Sequence, residues 1–229
     1  MTRKNLCAIC GERSATTRDH IPPAGIFPKP RPQDLVTVPC CFKCNNSGSV
    51  WDERFRVYLA LHVARNDPEW QNLLEKNVLP TLNHNRRLTR EIFESTKDIM
   101  LKTPGGLYLG KATEVRWDSE AHDRVIERTI RGLHYHHTGE ILGNRATVHV
   151  KFFESLEKVS SAFDAFPLHS IGDSQVLYKV ICDPKVPLRS AWVFEFRGWK
   201  WSGGYVQPLQ NPIEHRKTDC GGNGNVHFS

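Results

Sequence analysis

The chain has 229 residues, 39% apolar and 24% charged, which suits one large domain or two small ones with a sizeable core and excludes disorder over most of its length. No stretch approaches the roughly 18 uninterrupted apolar residues of a membrane span. The N-terminal Met-Thr-Arg-Lys-Asn-Leu-Cys has no apolar run behind its charge, so neither a membrane protein nor a secreted one is expected and a cytoplasmic location is the default. The net charge of +6 is a mild bias towards polyanionic partners.

Residues 1 to about 48 are rich in Cys, Pro and Gly, the composition of a small module held by a metal more than by a core. Phe27 to Gln33 (FPKPRPQ) carries proline at every second position and predicts an extended loop. Asp34 to Pro39 has β-branched residues at three of its six positions and predicts a short strand. Ser49-Val50-Trp51-Asp52 then resembles a capping box with Asp in place of Glu. Trp51, Phe55, Tyr58, Leu59 and His62/Val63 follow at spacings of three and four, predicting a helix from Ser49 to about Arg65.

Further helices are expected over about 69–79 and from Thr89 to Leu101, the latter ended by Thr103-Pro104-Gly105-Gly106. Leu107 to Trp117 reads as a strand or bent hairpin. Residues 119–137 read as a helix with Val125, Ile126, Thr129, Ile130 and Leu133 facing inward. Arg145 to Phe153 alternates as a strand, and 154–163 reads as a short helix. Gln175 to Asp183, Arg189 to Trp199 and Lys200 to Pro208 predict an antiparallel meander, followed by a loose tail from Asn211.

Five of the seven cysteines fall within the first 44 residues, while Cys182 and Cys220 are isolated. In a reducing compartment, close spacing favours metal over disulfide. Cys7 and Cys10 form one C-x-x-C pair and Cys41 and Cys44 another, with 30 residues between them. Two such knuckles complete the tetrahedral shell of a structural zinc. Cys40 competes with Cys41 for the fourth place, and the tighter C-x-x-C turn favours Cys41.

Between the knuckles lie Asp19-His20-Ile21-Pro22-Pro23, and Asn45-Asn46 follows the second. The ordered set CAIC, DHIPP, DLVTV and CFKCNN resembles the HNH family of nucleases, also called ββα-metal nucleases, over residues 7 to about 60. The resemblance implies His20 as the general base and Asp19 as a ligand of a catalytic divalent ion, Mg²⁺ or similar. It gives Asn45 the last metal-binding position, with Asn46 as its competitor. Asp34 falls near the middle position, usually Asn, that orients the loop and the histidine. A carboxylate accepts backbone hydrogen bonds but donates none, so the loop contacts must differ there.

The implied fold is α+β. A zinc-bound ββα-metal, treble-clef-like module spans 1–65, a helical connection 66–103, a mixed domain with an antiparallel sheet 104–210, and a flexible tail 211–229.

The implied chemistry is coherent. Phosphodiester hydrolysis needs an activated water and neutralisation of charge growing on the scissile oxygens. A neutral histidine near its free pKa of about 6.5 is a suitable base. A hard cation on Asp and Asn oxygens suits phosphate oxygens. The cysteine zinc acts as a clamp, because a module of about 50 residues cannot fix a catalytic hairpin by core packing alone.

The expected activity is metal-dependent cleavage of DNA, with RNA as the other nucleic acid this chemistry allows. Lys29, Arg31 and Lys43 are candidate phosphate contacts. The alternative is a zinc module that binds nucleic acid or protein without hydrolysis. The C-terminal part could serve a homodimer or a partner protein in a defence or mobile-element system.

Weaker signals lie elsewhere. His134 and His137 sit at a helix end, where favourable C-terminal placement explains them better than a second metal site does. Trp199 and Trp201 beside Arg197 and Lys200 read as cross-strand packing ahead of base stacking. Asn85 to Arg90 and Arg124, Arg128 and Arg131 read as solvated helix faces.

Overall fold

The N-terminal segment opens with an antiparallel hairpin, β1 (Thr17–His20) on β2 (Thr37–Cys40), with Asp19 opposite Val38 and His20 opposite Thr37. Strand alternation turns Asp19 inward and leaves Arg18 and His20 outside. The strand expected from Asp34 starts at Thr37; before it, the Val36 carbonyl accepts the Ile21 N–H at 2.9 Å. The proline loop between the strands buries Ile21, Ile26 and Phe27. In this computed structural model, residues 5–63, 67–153, 161–197 and 200–209 are described.

Helix α1 (Phe42–Val63) begins at Phe42, ahead of the expected start at Ser49. The Cys41 sulfur accepts the Cys44 N–H at 3.4 Å, so the second knuckle itself caps the helix. The Ser49 hydroxyl instead donates to the Asn46 carbonyl inside the helix at 2.7 Å. The helix expected over 69–79 is divided. α2 (Pro68–Leu73), capped by Asp67, runs through a π turn at Leu74–Val78 into α3 (Leu79–His84).

α4 (Arg86–Ser95) takes the first half of the helix expected over Thr89 to Leu101, and Asn85 caps it by accepting the Leu88 N–H at 3.1 Å. The second half is β3 (Thr96–Lys102), paired with β4 (Tyr108–Val115) so that Ile99 faces Ala112. Strand pairing overrides a weak helical periodicity here.

Helix α5 (Ser119–Thr138) matches expectation. Asp118 caps it, and Gly139 ends it at φ 72° with its N–H on the Tyr135 carbonyl at 2.8 Å. The five residues expected to face inward are all buried. α5 lies between α1 and a five-stranded antiparallel sheet of β5 (Ala146–Phe153), β6 (His169–Ile171), β7 (Val176–Cys182), β8 (Ser190–Phe196) and β9 (Lys200–Pro208). The strand order is β5-β9-β8-β7-β6, so the expected meander is present with β5 added beside β9. Residues 161–165 form a 3-10 turn, whereas 154–160 and the tail from residue 210 lie outside the described residues.

One apolar core runs through all of this. Ile21, Ile26 and Phe27 from the hairpin loop, Phe55 and Leu59 from α1, Ile126 and Ile130 from α5, and Phe194 and Phe196 from β8 belong to a single buried cluster. Each such side chain contributes about 1.5–3 kcal/mol. The N-terminal segment and the sheet are therefore packed as one body. Gly132 permits a close approach of α5 to the hairpin loop, since a Cβ there would stand 2.6 Å from Ile21 Cγ1. Among the described residues no helix is long and apolar enough to cross a membrane.

Candidate metal centre and the His20 face

The Sγ atoms of Cys7, Cys10, Cys41 and Cys44 lie within 4.8 Å of one another. Four bonds of about 2.3 Å to one tetrahedral zinc would hold the sulfurs about 3.8 Å apart, so this set could bind an ion such as zinc with little adjustment. The first knuckle closes through the Gly11 N–H on the Cys7 carbonyl at 2.8 Å, with Gly11 at φ 69°. The second knuckle begins at the last residue before α1.

Cys40 stays outside the set. It is buried on β2 with its sulfur 3.8 Å from Cys7 Sγ, and this hydrogen-bonded contact holds the Cys7 thiol down to about 4. That bond and burial push the Cys40 thiol up, so it remains protonated. Arg13 adds a feature that spacing did not single out. Its Nε donates to Cys41 Sγ and its Nη2 to Cys44 Sγ, each at 3.2 Å. A lone arginine just past the first knuckle was the available signal, and it supplies positive charge beside the cysteine sulfurs.

The first turn of α1 is stitched to β1 by Asn45, whose Nδ2 donates to Thr17 Oγ1 at 3.1 Å and the Arg18 carbonyl at 3.2 Å. Asn46 is exposed, and its carbonyl serves Ser49. His20 presents its ring to solvent. The desolvation that remains, then Arg31 and Arg18, hold its pKa below the ordinary 6.5. Arg18 is itself held across the hairpin by Thr37 Oγ1 at 2.7 Å.

Asp19 is 7% exposed, and its Oδ2 has no hydrogen bond although Arg128 Nε stands 3.4 Å away. Burial, opposed by Arg128 and reinforced by Asp52, pushes its carboxyl up to about 6. Arg128 corrects the expectation of a solvated helix face: it is also 7% exposed, and its Nη2 donates to Asp52 Oδ1 and Oδ2 at 2.5 and 2.6 Å. Asp19 Oδ2 and Asn45 Oδ1 are both hard oxygen atoms, the donor type that Mg²⁺-like ions take. Arg128, a cation, already pairs with Asp19 and opposes a second positive charge there.

No family model, curated protein or solved structure matches the chain.

The remaining candidates fall in different places. Asp34 accepts the Gly172 N–H at 3.0 and 2.9 Å through its two oxygens, and the Asp173 N–H at 3.4 Å, so its carboxylate grips the β6–β7 turn of the large sheet. Lys29, Arg31 and Lys43 are exposed, and Arg31 lies near enough to His20 to depress its pKa. His134 is fully buried with Nδ1 3.0 Å from Ser190 Oγ, and His137 Nε2 lies 2.9 Å from Tyr178 Oη. Contact with the sheet explains both better than the helix end does. Among the described residues the cysteine set is the only cluster suited to a metal. Trp201 sits opposite Phe153 and Glu195 in the strand ladder, while Trp199 lies outside the described residues. Arg197 is engaged by Asp67 and Glu69.

Proposed function

We propose that β1, β2 and α1 form a nuclease centre of the HNH type that hydrolyses DNA phosphodiester bonds, with a structural zinc on the four cysteines and a divalent ion at Asp19 and Asn45. The observation that carries this reading is the exposed His20 on β1, beside two arginines and on the hairpin whose flanks hold the four-cysteine cluster. His20 points outward beside Arg18 and Arg31, and Asn45 ties β1 to the start of α1.

His20, neutral at pH 7, takes a proton from the attacking water. Arg18 and Arg31 hold the scissile phosphate against the imidazole, and Lys29 and Lys43 extend the contact along the backbone. Asp19 and Asn45 are the residues that would hold a divalent ion, which would supply charge neutralisation when bound. The cysteine clamp fixes the hairpin against the helix start, and Asn45 Nδ2 keeps β1 in register with it.

Plasmid nicking by the zinc-loaded chain in Mg²⁺ or Mn²⁺ tests the reading. His20→Ala should lower the rate by about 10²–10⁴ while zinc content stays native. The rate should rise with pH along an acidic limb centred below 6.5 and be flat at neutrality, because only the neutral imidazole is a base. Cleavage that survives unchanged in His20→Ala removes the proposed base. The burial of Asp19 against Arg128 favours a second reading, a zinc module that binds nucleic acid or protein without hydrolysis. That reading predicts retained binding with no cleavage in either ion.

A further inference from the structure

The hairpin of β3 and β4 pairs with no other strand among the described residues. Met100, Leu107, Tyr108 and Leu109 on it are each more than half exposed, and Leu101 more than a third. At roughly 200 Å² for a whole side chain, these five present on the order of 500 Å² of apolar surface to water. A two-stranded ribbon is marginal in water without cover. Its two edges differ. β4 carries a bulge at Leu109, where the register slips between Leu101 and Lys102, whereas β3 runs unbroken.

The open edge of β3 has a definite phase. At one end the Ser95 carbonyl accepts the Arg116 N–H at 3.3 Å, and at the other the Thr103 N–H donates to the Leu107 carbonyl at 2.9 Å. Odd-numbered residues therefore turn their backbone groups to β4, and those of Asp98, Met100 and Lys102 face outward.

We infer that β3 is the interface of a two-fold homodimer, pairing antiparallel with β3 of a second copy to make a four-stranded sheet. The phase of the edge sets even residues against even ones. Centring the pair on Met100 places Asp98 against Lys102 of the second copy, Ile99 against Leu101, and Met100 against its counterpart. Every pair then matches in charge or polarity. Centring on Ile99 or on Leu101 sets Met100 against a charged residue instead. The two outer edges are both bulged β4 strands, which stops the sheet at four. The turn of the second copy runs along the end of α4, where Phe93 is exposed. Two ribbons have about 1,000 Å² to cover, the lower limit of a specific interface, so the dimer dissociates at micromolar concentrations. None of this rests on the nuclease reading.

Sedimentation equilibrium of the zinc-loaded full chain, from about 1 to 200 µM, tests the inference. The wild type should pass from monomer to dimer across that range. Lys102→Asp sets like charges together at both symmetry-related pairs and should weaken dimerisation at least tenfold. Asp98→Lys with Lys102→Asp restores the pairs with their signs exchanged and should recover the affinity to within about threefold. Met100→Pro removes the central N–H without touching the ladder to β4, and should leave a monomer.

A wild-type chain that stays monomeric overturns the inference and leaves the ribbon to another class of partner. A dimer unchanged by Lys102→Asp, or one that the exchanged pair fails to recover, overturns it too. Circular dichroism and zinc content are read for every variant. Should Met100→Pro perturb the fold, the charge variants decide alone.

Discussion

Arg128→Met is expected to destabilise the protein by about 3–5 kcal/mol, the range for breaking a buried ion pair from one side. The figure follows from what remains. Asp19 and Asp52 would both stay buried, at 8% and 23% side-chain exposure, with no cation between them. Burial already pushes the Asp19 carboxyl up to about 6, and losing the arginine raises it further. Arg128→Met with Asp52→Asn removes one of the two stranded charges, and its cost should fall to about half, roughly 2 kcal/mol.

Urea unfolding at pH 7 with zinc present measures both variants. For a chain of this size the single variant should also melt about 6–20 °C lower. Its deficit should shrink as pH falls from 7 towards 4. Both stranded carboxyls have folded pKa values above the unfolded ~3.9, so the native state binds protons more readily than the unfolded chain across that window. A single-variant cost below about 1 kcal/mol, the range of a surface pair, would refute the buried-triad account.

Cys41→Ser should lose zinc while Cys40→Ser keeps one zinc per chain; in the same chelator competition Arg13→Ala should weaken zinc binding by roughly 10- to 100-fold. Asp34→Ala should cost about 1–2 kcal/mol in urea unfolding by removing the acceptor of the Gly172 and Asp173 N–H groups. It should leave the ion requirement of plasmid nicking unchanged. Two histidines should take stability from the fold as pH falls below 6.5, against the opposite pull of Asp19 and Asp52. Burial lowers the pKa of His134 and takes that of His137 to about 4, so the unfolded chain gains protons that the native state refuses. Discounted for the exposure of His137, its share is on the order of 1–2 kcal/mol, and His137→Gln should flatten the pH profile of the melting temperature between 6.5 and 4.

The elements legible in the sequence are those whose burial writes a local period. Val125 to Leu133 repeat on one face of α5, and β5, β7 and β8 alternate as strands against a covered face. The start of α1 is not legible, because Asn45-Asn46-Ser47-Gly48 are poor helix formers and the cap that overrides them is a sulfur. β3 reads as helix until its partner, reached only through the Thr103 to Leu107 turn, is known. At the candidate site, cysteine spacing and the Asp-His-Asn set were visible. Arg128 was not, because its burial depends on a gap at Gly48 that periodicity cannot express. Asp34 likewise bonds a turn 138 residues away.

That long-range grip bears on portability. Phe27 rests on Gly172, where an added Cβ would stand 2.2 Å from Phe27 Cε1, and Asp34 holds the same turn. The first 63 residues are consequently not a cassette that could be excised or grafted onto another scaffold. Cutting the chain there would strip Ile21, Phe27 and Phe55 of their cover, and a transplanted hairpin would have to bring the large sheet with it.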